Sequence, residues 1–231
     1  MNDLAIISDI HGNLPALEAV LADIKSRGIK NIMCLGDLAG YYCGFNEVID
    51  ILRLNNIPTV MGNHDYALSF NFGVIERSKT CTHILKWQLD RCTPENLEYL
   101  RGLPLSIDHV FGNRQVKIVH GGLKDNLDEY LFDVDDEYFR SCNFNQDILI
   151  TGHTHLLSYK SFYSGKIWLN PGSVGQPRDF NNSAAYLIIG EDFLPSFVRV
   201  PYDFYKVIHS MQENGFAPYI SEGLRTGKKI S

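Results

Sequence analysis

The first third of the chain alternates short apolar runs with stretches of helical periodicity. Three apolar runs of strand length each end in polar residues and glycine: residues 4–8, 31–35 and 58–61. Apolar residues at helical spacing fill the two intervals, from Leu17 to Ile24 and over residues 46–54. Asn13 is positioned to cap the first of these helices, and Gly28 to end it. This β-α-β-α-β order predicts parallel strands joined by right-handed crossovers.

The rest of the chain has a different pattern. Helices are predicted over residues 78–92, 93–102, 135–142 and 203–213. Gly112-Asn113 predicts a hairpin between strands at residues 105–111 and 115–119. Further short strands are predicted at residues 147–151, 159–163, 167–169, 184–189 and 197–200. Their close spacing favours antiparallel pairing in the second half. We expect the basic tail, with Arg225, Lys228 and Lys229, to be a solvated end.

Composition limits the classes of function. The 231 residues include 21 Lys and Arg against 27 Asp and Glu, so the formal net charge is −6. A weakly acidic chain has no surplus of cations to displace counterions from nucleic acid, so no broad nucleic-acid or anionic-membrane surface is expected. Any positive charge that handles phosphate must therefore be local or come from metal ions.

The same composition predicts a cytoplasmic location. No apolar run approaches the roughly 20 residues that span a bilayer, and no signal-peptide pattern precedes the first strand. The cysteines Cys34, Cys43, Cys81, Cys92 and Cys142 lack C-x-x-C spacing. Free buried thiols in a reducing compartment are the simpler interpretation.

Chemically active side chains cluster where the apolar runs end. Five turns carry carboxylate, imidazole or amide groups: Asp9 and His11, then Asp37, then Asn63 and His64, then His120, then His153 and His155. Binding sites in open α/β sheets collect at the carboxyl ends of strands. These ligand types together suit borderline divalent metals. Seven or more candidates exceed what one tetrahedral zinc needs, so the pattern predicts two metals sharing a bridging carboxylate.

Each motif is weak by itself, but the ordered set is specific. A lone Asp-x-His is usually a turn, and a single His120 is more often a buried core histidine. The order D-x-H, G-D, G-N-H-D, H and G-H-x-H resembles the calcineurin-like metallophosphoesterase superfamily. Residues 8–14 (SDIHGNL) and 170–175 (NPGSVG) resemble its small bacterial and archaeal branch.

The resemblance implies a fold. Members of this family are α/β proteins, with a four-layer α-β-β-α sandwich of two mixed sheets and helices outside. We therefore expect one domain over residues 1–231, ending in a C-terminal helix and tail over residues 202–231. Residues 66–104 have no place in the minimal family fold, so we expect a small helical cap there, over one side of the site.

The resemblance also implies a role for each motif residue. The first metal takes Asp9, His11 and His155, Asp37 bridges, and the second metal takes Asn63, His120 and His153. His64 is the expected acid beside the leaving group, and Asp65 its orienting partner. The implied reaction is in-line attack on phosphorus by a hydroxide bridging two divalent metals, with manganese favoured and iron, nickel, cobalt or zinc as alternatives.

The substrate is left more open. The segment from Gly36 to Tyr42 lacks the arginine that the family's protein phosphatases carry, which makes phosphoproteins the less favoured substrate. Arg178 has two interpretations, a phosphate clamp or a loop arginine paired with Asp179. Tyr41 and Tyr66 follow ligand-bearing turns, where they either stack on a leaving group or simply pack.

Three functions therefore compete. The leading hypothesis is a dinuclear phosphoesterase that hydrolyses small phosphomonoesters or phosphodiesters. The second is a nucleotide- or phosphoprotein-specific phosphatase. The third is a non-catalytic scaffold, like a retromer subunit that keeps this fold but has lost the histidine of its Gly-Asn-His turn. Here His64 is present, which disfavours a scaffold. The sequence leaves the oligomeric state open.

Overall fold

The first of two mixed β-sheets holds the chain's first two strands. The computed structural model describes residues 3–70, 79–190 and 193–228. Four strands of the described residues form this sheet: β1 (Leu4–Ile7), β2 (Asn31–Cys34), β8 (Ala184–Ile189) and β9 (Pro195–Val200), in the order β2-β1-β8-β9. β1 runs parallel to β2, with Ile6 opposite Met33, and antiparallel to β8.

The second sheet contains the predicted hairpin. Its five described strands are β3 (Ser106–Phe111), β4 (Arg114–Val119), β5 (Ile148–Ile150), β6 (Leu157–Ser161) and β7 (Ile167–Pro171), in the order β3-β4-β5-β7-β6. The β3–β4 hairpin is confirmed, with Phe111 opposite Arg114. The antiparallel pairing predicted for the second half is confirmed for β3–β4, β6–β7 and β8–β9. It is wrong for β4–β5 and β5–β7, which are parallel. The long connection from β4 to β5 carries helix α6 (Asp136–Ser141) and returns the chain to the same end of the sheet.

Alternation along β1 shows how the layers are packed. Ala5 and Ile7 belong to a core shared with α1 (Leu14–Ser26) and α2 (Phe45–Leu54), which cover the outer face. Leu4 and Ile6 belong instead to the core between the two sheets. On the far side, α6 packs on the second sheet. The predicted α-β-β-α sandwich of two mixed sheets is therefore confirmed.

The predicted third parallel strand is wrong. Residues 58–61 contribute one isolated bridge, from Thr59 to Cys34, and the chain then enters helix α3 (Asn63–Phe70). The sequence pattern predicted that Asn63 and His64 lie in a turn after a strand. They belong instead to the first turn of helix α3, which begins directly after Gly62. Tyr66 N–H donates a hydrogen bond to the Gly62 carbonyl.

The segment expected to be a cap contains α3, α4 (Lys79–Leu89) and α5 (Pro94–Arg101) in its described part. Residues 71–78 lie outside the described residues. The buried Gln88 side chain of α4 accepts from Gly40 N–H and donates to the Tyr42 carbonyl, both at 2.9 Å. The described helices thus support the loop after β2 from the outer helical layer.

The C-terminal region packs against this same loop. Helix α7 (Phe204–Glu213) is followed by a 3-10 turn (Pro218–Ser221) and α8 (Gly223–Thr226). The solvated basic tail is confirmed for Arg225 and Lys228, which are exposed, and Lys229 lies outside the described residues. Just before them, Ile220 and Leu224 are buried in a cluster with Tyr42. Among the described residues, no helix has the length and apolar character needed to cross a membrane.

Candidate metal centre

The seven predicted ligands meet at one edge of the sandwich. They follow β1, β2, β4 and β5 or begin α3, and none is more than 4% exposed: Asp9, His11, Asp37, Asn63, His120, His153 and His155. The parallel strands within each sheet bring their carboxyl ends to this edge, as the sequence analysis required. Three overlapping groups have ligand atoms within 4.8 Å of one another: Asp9 with His11 and His155, His11 with Asp37 and His64, and Asp37 with His120 and His153.

One half of the centre contains Asp9, His11 and His155. His11 Nδ1 donates to the Ala39 carbonyl at 2.9 Å, and His155 Nδ1 to the Gln176 carbonyl at 2.6 Å. A carbonyl oxygen only accepts, so each Nδ1 carries the hydrogen and each neutral ring presents an Nε2 lone pair. These two Nε2 atoms are 3.1 Å apart, and Asp9 Oδ1 lies 3.2 Å from His155 Nε2.

This arrangement fits a divalent cation. Burial lowers the pKa of both His11 and His155, so the rings are neutral and their lone pairs face each other. Burial by itself would raise the pKa of Asp9, but His155 and His120 hold it below its ordinary value, so a carboxylate faces those lone pairs. Converging electron pairs in a dry site repel unless a cation lies between them. Asp9 Oδ1 also lacks a hydrogen-bond donor among the described residues.

The other half is built around His120. Its Nδ1 donates to the Leu35 carbonyl at 2.7 Å, which directs Nε2 inward. That Nε2 lies 3.1 Å from Asn63 Oδ1 and 3.2 Å from His153 Nδ1. Burial lowers the pKa of His120, but Asp37 outweighs it and raises the pKa to about 10. For His153, burial and neighbouring His120 lower the pKa to about 2. Asp37 thus favours a positive charge at His120 Nε2 while His153 stays neutral, in agreement with a second cation site.

Asp37 joins the two halves. Its Oδ2 lies 3.6 Å from His11 Nε2 and 3.4 Å from His120 Nε2, the position that a bridging ligand requires. Its Oδ1 accepts from His64 N–H at 2.9 Å, at the positive end of α3. Burial acts to raise the pKa of Asp37, but His120 and His64 hold it well below its ordinary value. The carboxylate is therefore charged.

The ligand-bearing turns adopt unusual backbone geometry. Five ligands have φ between 53° and 65°, a region that non-glycine residues seldom occupy: Asp9, His11, Asp37, His153 and His155. Such a concentration of strained residues is typical of functional sites. Gly62 is required at this site, because a Cβ there would lie 2.1 Å from Asp37 Oδ1.

His64 and Asp65 lie beside the ligands but do different things. The His64 ring is 7% exposed and packs edge-on against His11, with 4.8 Å between ring centroids. The Asp65 carboxylate accepts from the backbone N–H groups of Leu38, Ala39 and Gly62. Burial and the charge of Asp37 raise the pKa of Asp65 to about 7. Any orienting effect of Asp65 on His64 therefore acts through the loop backbone rather than through a direct bond to the ring.

The three residues suggested for substrate binding are placed differently. The predicted ion pair between Arg178 and Asp179 is wrong, because Asp179 pairs with Arg199. The Arg178 guanidinium donates to Gln176 Oε1 and, at 3.3 Å, to Tyr41 Oη. The Tyr41 ring lies 4.8 Å from that of His11 and 5.2 Å from that of His64, so Arg178 and Tyr41 border the first half of the centre.

Tyr66 has a different environment from Tyr41. Its ring packs on Phe70, one turn along α3, with 4.8 Å between centroids. This contact is the packing alternative that the sequence analysis left open, and contact with a substrate stays a prediction.

No sequence pattern points to Asp128 or Tyr130, yet both lie beside His153. Asp128 Oδ1 lies 3.4 Å from His153 Nε2, and the Tyr130 ring is 3.9 Å from the His153 ring. Both residues belong to the loop after β4, which has no periodicity or motif. A carboxylate behind a ligand histidine is a common feature of metal sites, but only the folded structure brings it there.

Comparison with known proteins agrees with this geometry. The family model described as "Calcineurin-like phosphoesterase superfamily domain" matches residues 2–192. The chain belongs to this superfamily. Phosphodiesterase YfcE of Escherichia coli K12 is 29% identical to it, over 84% of this chain and 90% of that protein. The "Uncharacterized protein MJ0912" of Methanocaldococcus jannaschii is 39% identical, over 97% of this chain and 98% of that protein.

Solved structures extend the similarity to the whole chain. A metallophosphoesterase from Sphaerobacter thermophilus is 30% identical, with a TM-score of 0.82 over 97% of this chain and 98% of that one. The hypothetical protein PH1004 of Pyrococcus horikoshii OT3 has a TM-score of 0.85 at 20% identity, over 99% of this chain and 100% of that one, which shows a shared fold. The resemblance to the metallophosphoesterases is therefore confirmed, and the family implies divalent metals.

Proposed function

We propose that the protein is a dinuclear metal-dependent hydrolase of small phosphate esters. The observation that carries this proposal is the position of one Asp37 oxygen between His11 Nε2 of one half and His120 Nε2 of the other. A single carboxylate oxygen shared by two sets of buried ligands suits two cations better than one. Manganese stays the favoured metal, with iron, nickel, cobalt or zinc as alternatives.

The residues of the chain explain how an acidic protein would attract phosphate. The net charge of −6 would repel a phosphate ester at long range. Two divalent cations, when bound, would supply Lewis acidity and a water molecule of lowered pKa. Asp9 and Asp37 would neutralise only part of that charge, and the other ligands, Asn63 and the histidines, would be neutral once a cation replaces the proton on His120. A positive field confined to this edge of the sandwich follows.

His64 is suited to protonate the leaving group. Its backbone N–H is fixed by Asp37, and its ring lies beside His11 and Tyr41 at the same edge. An alkoxide that leaves phosphorus needs a proton, and imidazole transfers protons efficiently near neutral pH. Arg178 would hold a phosphoryl oxygen, and the hydrogen bonds of its guanidinium to the neutral Gln176 and Tyr41 rather than to a carboxylate support this role.

The relative named a phosphodiesterase, YfcE, supports a diester as one of the two ester classes. A scaffold role is disfavoured because the structure brings the full predicted ligand set together, with His64 beside it.

The test combines metal analysis with two substrates. The protein is purified without added metal, its metal content is measured, and p-nitrophenyl phosphate and bis-p-nitrophenyl phosphate are assayed with Mn²⁺, Ni²⁺ or EDTA. About two metals per chain and chelator-sensitive cleavage are expected, and the ratio of the two rates separates monoesterase from diesterase. Absence of both metal and turnover would contradict the proposal and favour the scaffold. Metal without turnover would contradict small esters as substrates.

A further inference from the structure

An aromatic column runs from the metal centre to the protein surface. The His120 and His153 rings have centroids 5.0 Å apart, and the Tyr130 ring lies 3.9 Å from His153. Phe132 continues the series, 5.7 Å from Tyr130 and only 6° from parallel with it. Four rings therefore follow one another outward from the second half of the centre.

Burial decreases along this column. His120 is fully buried and His153 is 3% exposed, whereas Phe132 is 65% exposed. Phe132 thus stacks on Tyr130 while most of its own surface stays open to solvent. Tyr130 already covers His153, and Phe132 adds an open aromatic face beside a centre that would hold a phosphoryl group.

The loop that carries the pair is held in one shape. Gly121 N–H donates to the Asn126 carbonyl, and Gly122 N–H to the Asp125 carbonyl. The Glu129 carboxylate accepts from Lys124 N–H and from the Tyr138 hydroxyl, both at 2.9 Å. A surface fixed before binding costs less ordering entropy when a ligand stacks on it.

We propose that the Tyr130–Phe132 pair binds a planar aromatic group of the substrate, so that aryl or nucleoside phosphate esters are preferred over aliphatic ones. This inference rests on the proposed function, which places the phosphoryl group at the metal centre. Arg178 and Tyr41 border the opposite half, so the phosphate and the aromatic group would contact different sides of the site. A planar group stacks on an aromatic side chain whatever its source.

Two variants and one control test this proposal. Phe132→Ala removes the outer ring, and Phe132→Leu keeps an apolar side chain without an aromatic face. Tyr163→Ala is the control, because Tyr163 is fully exposed in the turn between β6 and β7. Metal content and melting temperature are measured first, and all three variants should match the unmodified protein.

The decisive measurement is binding. With Mn²⁺ present, Phe132→Ala should weaken phenylphosphonate about tenfold and leave methylphosphonate unchanged. Phe132→Leu should lie between, and Tyr163→Ala should change neither. In turnover assays, the loss of kcat/KM caused by Phe132→Ala should be larger for phenyl phosphate than for ethyl phosphate. A larger loss for adenosine 5′-monophosphate than for phenyl phosphate identifies the aromatic group as a nucleobase, and the reverse identifies an aryl group.

The two proposals fail in different ways. Equal effects of Phe132→Ala on both phosphonates, with turnover retained, would overturn the aromatic site and leave the phosphoesterase standing. Selective loss of phenylphosphonate binding in a protein without turnover would do the opposite. If Phe132→Ala instead abolishes self-association in sedimentation and leaves both affinities unchanged, the ring belongs to an interface between two copies and the inference is wrong.

Discussion

The two halves of the metal centre share ligand types but are held in different ways. In the half with Asp9, both histidine rings are fixed by main-chain carbonyls, those of Ala39 and Gln176. In the other half, His120 is fixed by a carbonyl, but His153 faces Asp128, whose side chain is 33% exposed. The fold itself therefore builds the first half, whereas the second half also depends on a surface loop.

This difference indicates where the site can be changed without loss of the fold. A main-chain carbonyl cannot be removed by substitution, so the ligand orientation in the first half is insensitive to single mutations nearby. A side-chain carboxylate can be replaced, which makes the affinity of the second half adjustable. The same loop carries Tyr130 and Phe132, so on our proposals a single loop would affect both substrate preference and metal affinity.

Removing the ligand shared by the halves should have the largest effect. Asp37→Ala should lower metal content in both halves and reduce hydrolysis at least about 1,000-fold, because several kcal/mol of charge stabilisation disappear. Elemental analysis and the p-nitrophenyl assays measure both. The exposed Asp133→Ala is the matched control and should change neither. Two metals retained in Asp37→Ala would show that Asp37 does not connect the halves.

His64 separates metal binding from proton transfer. His64→Ala should leave both halves loaded but slow the hydrolysis of esters with poor leaving groups about 100-fold or more, since only these need a proton from the enzyme. Rates for a series of leaving groups, with metal content measured in parallel, provide the test. Equal slowing for good and poor leaving groups would argue against the role as acid.

Asp128 tests the asymmetry directly. Asp128→Ala should weaken one of two metal-binding events about 10- to 100-fold and leave the other unchanged, because Asp128 lies beside His153, a predicted ligand of one half. Asp128→Asn keeps an oxygen facing His153 Nε2, which Asp128 Oδ1 approaches to 3.4 Å, and should restore most of the affinity. Titration calorimetry with Mn²⁺ on metal-free protein resolves the two events. Equal weakening of both metal-binding events would show that the two halves of the centre do not differ in their dependence on Asp128.

Substitution of Arg178, which borders the half with Asp9, should have the smallest effect on activity. Arg178→Lys keeps the charge but loses the planar pair of donors, so KM for a phosphate ester should rise about tenfold with kcat nearly unchanged. Steady-state kinetics with metal at saturation measures this. An unchanged KM would assign Arg178 to packing against Gln176 and Tyr41.

Local sequence was enough for much of the fold and for the ligand types. Periodicity and caps report burial and nearby hydrogen bonds. Asn13, for example, caps α1 through Ala16 N–H as predicted. The prediction of a third strand was wrong because residues 58–61, although apolar, make only an isolated bridge. An apolar run by itself does not specify a pairing partner. The burial of Ile220 and Leu224 was not predicted, for a similar reason: they pack with Tyr42, which is far away in sequence.

The sequence by itself determined which side chains are present, their order and their association with strand ends, and this was sufficient to indicate a phosphoesterase. Only the tertiary structure decided which ring nitrogen of each histidine faces inward and what lies behind it. The nitrogens of His11 and His155 that meet are 144 positions apart. Their orientation is set by the carbonyls of Ala39 and Gln176, which carry no side-chain signal. Asp128, Tyr130 and Phe132 become functional candidates through proximity alone, because the path of an irregular loop depends on long-range packing rather than on local pattern.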